Sequence, residues 1–178
     1  MTQLAQHLTA FLREHLPRER RASVHTCDAY AYSFQLLVTF AARRLSKRPC
    51  LLQIEDFDVP MILTFLEHIE ETRGNKARSR NARLAAVKSF FRYLEHRVPA
   101  VLDQAFRVHA IPMKKIDEAL VASLSRTEVQ ALLSAPDRRS LSGIRDRAML
   151  HLAFAGGLRV SELVGLTLDQ FDGRSPAC

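Results

Sequence analysis

Arg159 and Glu162, in the run Gly156-Gly157-Leu158-Arg159-Val160-Ser161-Glu162-Leu163, have the side-chain types and spacing for chemistry at one point of the chain. Three residues apart on a helix, they lie on one face, where a guanidinium and a carboxylate can meet. Spacing alone describes an ordinary surface pair worth about 0.2–0.5 kcal/mol. The second chemical signal is cationic. Between Arg73 and Arg97 lie Arg73, Lys76, Arg78, Arg80, Arg83, Lys88, Arg92 and Arg97, against a single acid, Glu95. Lys88 and Arg92 stack at i and i+4, with Arg78 and Arg80 at the N-terminal approach of the same helix. Such a flank can follow a phosphate backbone. The alternative is a solvated face beside an apolar stripe, and the residues alone leave both open. Lys114 and Lys115 are further candidates for backbone contact.

The elements that must position these residues are helices. The chain has 178 residues, a net charge of +7, six glycines and no Trp, with 47% hydrophobic and 25% charged residues. That is a globular composition of a size for one ordinary domain, or one small domain plus part of another. Cys27, Cys50 and Cys178 are dispersed and odd in number, without metal-ligand spacing, which speaks against a disulfide framework or a zinc site and for a reduced, cytoplasmic setting. The longest uncharged run, Ala29 to Ala42, is too short to span a bilayer. No secretory signal is legible at the start of the chain.

Periodicity predicts a first helix from about Leu4 to Leu16, closed by Pro17 and the charged run Arg18-Glu19-Arg20-Arg21. A second runs from about Ser23 to Leu45 with Tyr30, Phe34, Leu37, Val38, Ala41 and Leu45 as its stripe. Asp58 caps a third, with Pro60 in its first turn and Ile62, Phe65, Leu66 and Ile69 buried; Arg73-Gly74-Asn75 ends it. The fourth spans roughly Ser79 to His96, burying Leu84, Val87, Phe90, Phe91 and Leu94. Four amphipathic helices on short connections make a bundle ending near Arg97. Residues 98–123 hold Pro99, Pro112 and Lys114-Lys115 and read as an extended linker. Ser125-Arg126-Thr127-Glu128 is a capping box, starting a helix that buries Val129, Leu132 and Leu133 and stops at Pro136. Another helix runs from about Gly143 to Ala155, with Ile144, Ala148, Leu152 and Ala155 in line, before the Gly156-Gly157 turn. A short helix through Arg159 to Gly165 follows, and the tail from Asp172 is polar.

This order, and above all the stretch from Ile144 to Phe171 with its G-L-R-x-S-E-L segment, resembles the tyrosine recombinases, the phage-integrase family. The bundle, with Thr26, Tyr30 and the run Arg83-Leu84-Ala85-Ala86-Val87-Lys88-Ser89-Phe90-Phe91, is similar but less specific. The resemblance implies a mainly α chain: an N-terminal four-helix core-binding (SAM-like) DNA-binding domain over 1–97, a linker over 98–123, and the opening helices of a truncated catalytic domain over 124–178. In that family a tyrosine attacks a backbone phosphate without metal or nucleotide cofactor. Arg159 matches the first catalytic arginine, whose planar fork can hold two phosphate oxygens. Glu162 matches a supporting acid. The family's lysine, His-x-x-Arg pair and nucleophilic tyrosine have no counterparts after Phe171. His15-Leu16-Pro17-Arg18 spells His-x-x-Arg in the wrong domain, and Tyr30, Tyr32 and Tyr93 all fall in the bundle. Core packing is the reading for Tyr30; Tyr32 and Tyr93 could face solvent or DNA.

The expectation is therefore the DNA-binding portion of a recombinase or integrase, from a mobile element or bacterial chromosome. It is expected to be unable to cleave DNA alone and to associate with the nucleoid. Its partners would be double-stranded DNA and other recombinase subunits, with no membrane and no small-molecule substrate, and Arg78, Arg80, Arg83, Lys88, Arg92, Lys114 and Lys115 as DNA contacts. The alternative is a helical interaction module, or a remnant, that modulates a full-length recombinase. A helix-turn-helix reader over 143–171 is disfavoured, because Val160, Glu162, Leu163 and Val164 offer few polar donors to base edges. Apolar side chains beyond Ser125, Leu132, Leu152, Phe154 and Leu163 among them, are expected to lack partner surface.

Overall fold

A computed structural model describes residues 3–116, 123–167 and 170. They form helices with no strand among the described residues, divided into two units, 1–118 and 119–178. Helix α1 (Leu4–Ala10) runs on without a break as a wide, π-wound segment, Phe11–Glu19. Pro17 lies inside this continuation rather than closing it. Its missing amide removes one bond, yet the chain stays helical until Arg20, whose N–H donates to the His15 carbonyl at 2.9 Å.

Helix α2 (Val24–Leu45) starts where the Ser23 hydroxyl accepts from the Thr26 amide, and ends at Ser46 in the left-handed region. Helix α3 (Val59–Arg73) starts where the Asp58 carboxylate accepts from the Met61 amide at 2.8 Å, with Pro60 in the first turn. Gly74, at φ 60°, ends it, and α4 (Ala77–Glu95) follows at once. The predicted stripes meet as one core. Phe34, Leu37 and Ala41 of α2, Ile62, Phe65, Leu66 and Ile69 of α3, and Leu84, Val87, Phe90, Phe91 and Leu94 of α4 are all buried. Phe11 closes the bundle from the first helix, its ring edge-on to Phe34 and Phe90 at centroid distances of 6.1 and 5.3 Å.

Two further expectations need correction in this unit. The segment after Arg97 is not extended throughout: helix α5 (Leu102–His109) forms within it and packs on α4. Val101, Ala105, Val108 and Ile111 are buried, and the Gln104 amide donates to the Ile54 and Phe57 carbonyls at 2.8 and 3.0 Å. The helix was hidden because it is only about two turns long and lies between Pro99 and Pro112, although Val101, Ala105 and Val108 keep helical spacing. Tyr93 does not face solvent. It is 5% exposed, and burial pushes its hydroxyl above the ordinary tyrosine range.

The second unit holds α6 (Arg126–Ser134), α7 (Leu141–Gly156) and α8 (Val160–Val164). The capping box forms as expected: Ser125 N–H donates to Glu128 Oε2 at 2.8 Å, and the Glu128 amide returns to the Ser125 hydroxyl. That backbone bond holds the Glu128 carboxyl below its usual range. Two glycines are required by geometry. A Cβ at Gly143 would meet the Asp137 carbonyl oxygen at 1.9 Å, and Gly157 sits at φ 61° where α7 ends. Burial falls short of the predicted α6 stripe and agrees with the expected lack of partner surface at Leu132 and Phe154. Of Val129, Leu132 and Leu133 only Leu133 is buried, while Leu132 is 50% exposed. Leu141, Ile144, Phe154, Val160 and Val164 are exposed too, and Leu152 and Leu163 are half-buried. Three short helices cannot close a core around these side chains. The polar tail from Asp172 lies outside the described residues.

Amide exchange should reflect this difference, since slow exchange needs buried, densely packed surroundings. Measured by mass spectrometry, α2, α3 and α4 are expected to exchange slowly and α6 to α8 rapidly. Uniform protection along the chain would contradict the burial pattern.

Candidate nucleic-acid interface and the Arg159 segment

The α4 cations divide into two groups. Arg80 is 6% exposed, with Nε 3.7 Å from Glu70 Oε2 and Nη1 donating to the Asn81 side chain and, at 3.4 Å, to the Pro112 carbonyl. Arg83 lies over the Tyr32 ring at 4.8 Å and donates to Ser33 Oγ at 3.0 Å and to the Ala29 carbonyl. Lys88 donates to the His109 and Ile111 carbonyls at 2.9 and 2.5 Å, supplying cation to the C-terminal end of α5. Burial pushes its ammonium below the ordinary lysine range. These three side chains fasten the fold. Arg78 and Arg92 are exposed and have no ion-pair partner among the described residues.

The segment after α5 is strapped to α4. The Asn81 side chain donates to the Lys114 carbonyl at 2.7 Å and accepts from the Lys114 amide at 2.9 Å. The Lys114 ammonium reaches Glu70 at 2.8 Å, so this cation is paired as well. Lys115 is exposed and lines an open hollow of about 500 Å³ with Lys76, Arg78 and Ser79 at the start of α4.

A second hollow, of about 270 Å³, lies further along the same helix. Ala85, Lys88, Ser89 and Arg92 form its α4 wall, with Tyr30 of α2 and Arg20 opposite. The Ser89 hydroxyl is buried there without a hydrogen-bond partner among the described residues. Arg20 is the residue that sequence reasoning missed. The run Arg18 to Arg21 looked like the end of one helix, but it also immediately precedes the Ser23 cap of the next, where amides point outward. That position was the available signal.

In the second unit, Gly157 turns the chain so that Arg159 becomes the cap of α8. Its N–H donates to Glu162 Oε2 at 2.8 Å and its Nη1 to Glu162 Oε1 at 3.0 Å. The side chain of Arg159 is 82% exposed. Glu162 thus holds one corner of the guanidinium and leaves the Nε–Nη2 edge, the edge that grips an oxyanion with two parallel bonds, turned to open space. His15 of the discarded His-x-x-Arg match is engaged elsewhere, 2.6 Å from Glu19 and beside the Tyr93 ring. No helix among the described residues is long and apolar enough to cross a membrane.

Comparison with known proteins agrees with this layout. The phage integrase N-terminal SAM-like domain matches residues 8–98, and the phage integrase family matches residues 122–175. The chain is 46% identical over 166 residues to the candidate integrase/recombinase y4rC of Sinorhizobium fredii, covering 93% of this chain and 50% of that protein. It is similar to the tyrosine recombinase XerD of Pseudomonas putida, 44% identical over 102 residues, 57% of this chain and 33% of that one. With the tyrosine recombinase XerC of Pelotomaculum thermopropionicum it shares 34% over 166 residues, covering 93% of this chain and 53% of the relative. The chain spans about half the length of the curated relatives it matches. No solved structure matches it.

Lys88→Ala tests the fastening. Leaving two carbonyls without their donor is expected to cost about 1–3 kcal/mol in denaturant unfolding. It should also speed proteolysis at Lys114 and Lys115. An unchanged midpoint with unchanged proteolysis would return Lys88 to the set of free cations.

Proposed function

The chain belongs to the phage integrase family, whose tyrosine recombinases act in site-specific recombination, and on that premise we propose that residues 1–97 form a core-binding domain that grips duplex DNA along α4. The observation that carries this is the hollow at Ser89, which the exposed Arg20 and Arg92 both line. A phosphate seated in that hollow meets both cations at once. The hollow with Lys76, Arg78 and Lys115 extends the basic flank to the start of the helix. From Arg78 to Arg92 the helix rises about 21 Å, the span of roughly six base pairs at 3.4 Å each. Arg78, Arg92 and Lys115 keep the DNA-contact role expected of them, and Arg20 joins them. Arg80, Arg83, Lys88 and Lys114 shape the surface that those four occupy.

Residues 124–178 act as the first part of a catalytic domain, with Arg159 as a phosphate clamp ordered by Glu162. Removing one such donor costs about 10²–10³ in rate where the rest of the site is present. These residues include no tyrosine; Tyr93 is buried, and Tyr32 accepts from Arg73 at 2.8 Å. This polypeptide therefore binds DNA without cleaving it unless a nucleophile comes from elsewhere. The assignment requires no metal and no nucleotide.

The test is a DNA titration across ionic strength. Affinity should fall with salt at a log–log slope of about −0.9 per phosphate neutralised. Replacing Arg20, Arg78 and Arg92 together by Ala should weaken binding uniformly and flatten that slope by about one for each residue, with stability unchanged. Salt-independent binding, or a triple variant that binds as the parent does, would sink the assignment.

The exposed Leu132, Phe154, Val160 and Val164 favour a second reading, contact with a full-length recombinase. Added to a recombination assay with such an enzyme, the chain inhibits under either reading. Relief by excess DNA supports competition for sites, whereas inhibition that persists at saturating DNA supports protein contact.

A further inference from the structure

Away from the α4 hollows, a cleft of about 650 Å³ opens between α2 and α3. Its accessible apolar surface comes from the half-buried Leu36 and Phe40 of α2, backed by the buried Phe65 and Ile69 of α3. Its rim is cationic, with Arg43, Arg44 and Arg73, and no Asp or Glu lines it. Arg43 and Arg44 are exposed and have no ion-pair partner among the described residues. At one end two guanidiniums gather on a single ring: Arg73 and Arg83 lie 5.9 and 4.8 Å from the centroid of Tyr32. Like charges so placed lower their mutual repulsion when an anion joins them.

We propose that this cleft is a docking groove for an acidic amphipathic helix of a partner protein. Its length argues for a helix: the α2 wall runs from Tyr32 to Arg44, about 18 Å or more than three turns. A compact small molecule leaves much of that length open. The chemistry argues against a nucleic-acid backbone, which offers phosphates to the rim and nothing to the apolar Leu36–Phe40 surface. An amphipathic helix satisfies both parts, with apolar side chains at i, i+3, i+4 and i+7 on that surface and carboxylates against the arginines. The groove goes beyond the DNA-binding assignment and does not depend on it.

The probe is an end-capped peptide with Leu at i, i+3, i+4 and i+7 and Glu at the intervening positions. A permuted peptide of the same composition, with its Leu residues scattered round the wheel, is the control. Titrated into the full chain, the patterned peptide should shift amide resonances within 32–44 and 65–73. It should bind about tenfold or more tightly than the control, a difference of about 1.4 kcal/mol. Arg43→Glu with Arg44→Glu should weaken it about tenfold and turn the preference towards a Lys version of the peptide, while duplex binding stays as in the parent. Equal binding of both peptides, shifts confined to other segments, or no binding overturns the proposal. So does loss of duplex binding in the Arg43/Arg44 variant together with displacement of the peptide by duplex, since the cleft is then a nucleic-acid surface. Peptide docking in a chain that fails to bind duplex sinks only the DNA assignment.

Discussion

Everything in the first unit depends on α4 being surrounded. Helices α2, α3 and α5 all pack against it, and Leu84, Val87, Phe90, Phe91 and Leu94 lose nearly all contact with water. A helix enclosed to that extent has little surface to spare, so its polar side chains emerge at the seams between neighbours. There they meet backbone carbonyl groups of the neighbouring segments. Lys88 meets the end of α5, Arg80 the Pro112 carbonyl, and Arg83 the Ala29 carbonyl of α2. Burial of the apolar stripe thus determines which cations are committed to the fold and which stay available for a ligand.

Much of this architecture was legible in the sequence because the signals were local. Ser23, Asp58 and Ser125 each cap the helix that their position announces. The four stripes came out at helical period because each faces one common core. What was hidden depended on neighbours distant in the chain. Nothing in the local run distinguishes Lys88 from Arg92, since one turn of helix separates them, yet one ends against carbonyls and the other in the open. Helix α5 was hard to see because its periodic positions, Val101, Ala105 and Val108, span only about two turns between Pro99 and Pro112, and part of its anchoring comes from Gln104 reaching the turn before α3. Pro17 misled through a general rule: it usually ends a helix, but here the winding loosened and continued.

The second unit is the converse case. Its caps and turns obey the sequence closely, from the reciprocal bonds of Ser125 and Glu128 to the left-handed Gly157. Local signals are sufficient for local structure and say nothing about enclosure. Among the described residues of this unit Leu133 is the buried apolar side chain, while Leu141, Phe154 and Val160 stand in solvent. The Arg159 segment is consequently ordered by its own short-range contacts with Glu162, and the wider packing contributes little to it.

The paired bonds of Asn81 carry a consequence for how variation in related chains is interpreted. One carboxamide answers both the N–H and the C=O of a single distant residue. Aspartate lacks the donor, leucine lacks both groups, and glutamine reaches a methylene too far. A half-exposed polar position with so narrow a tolerance mimics the signature of a recognition residue. At this site, the selective pressure would come from the polypeptide holding on to itself.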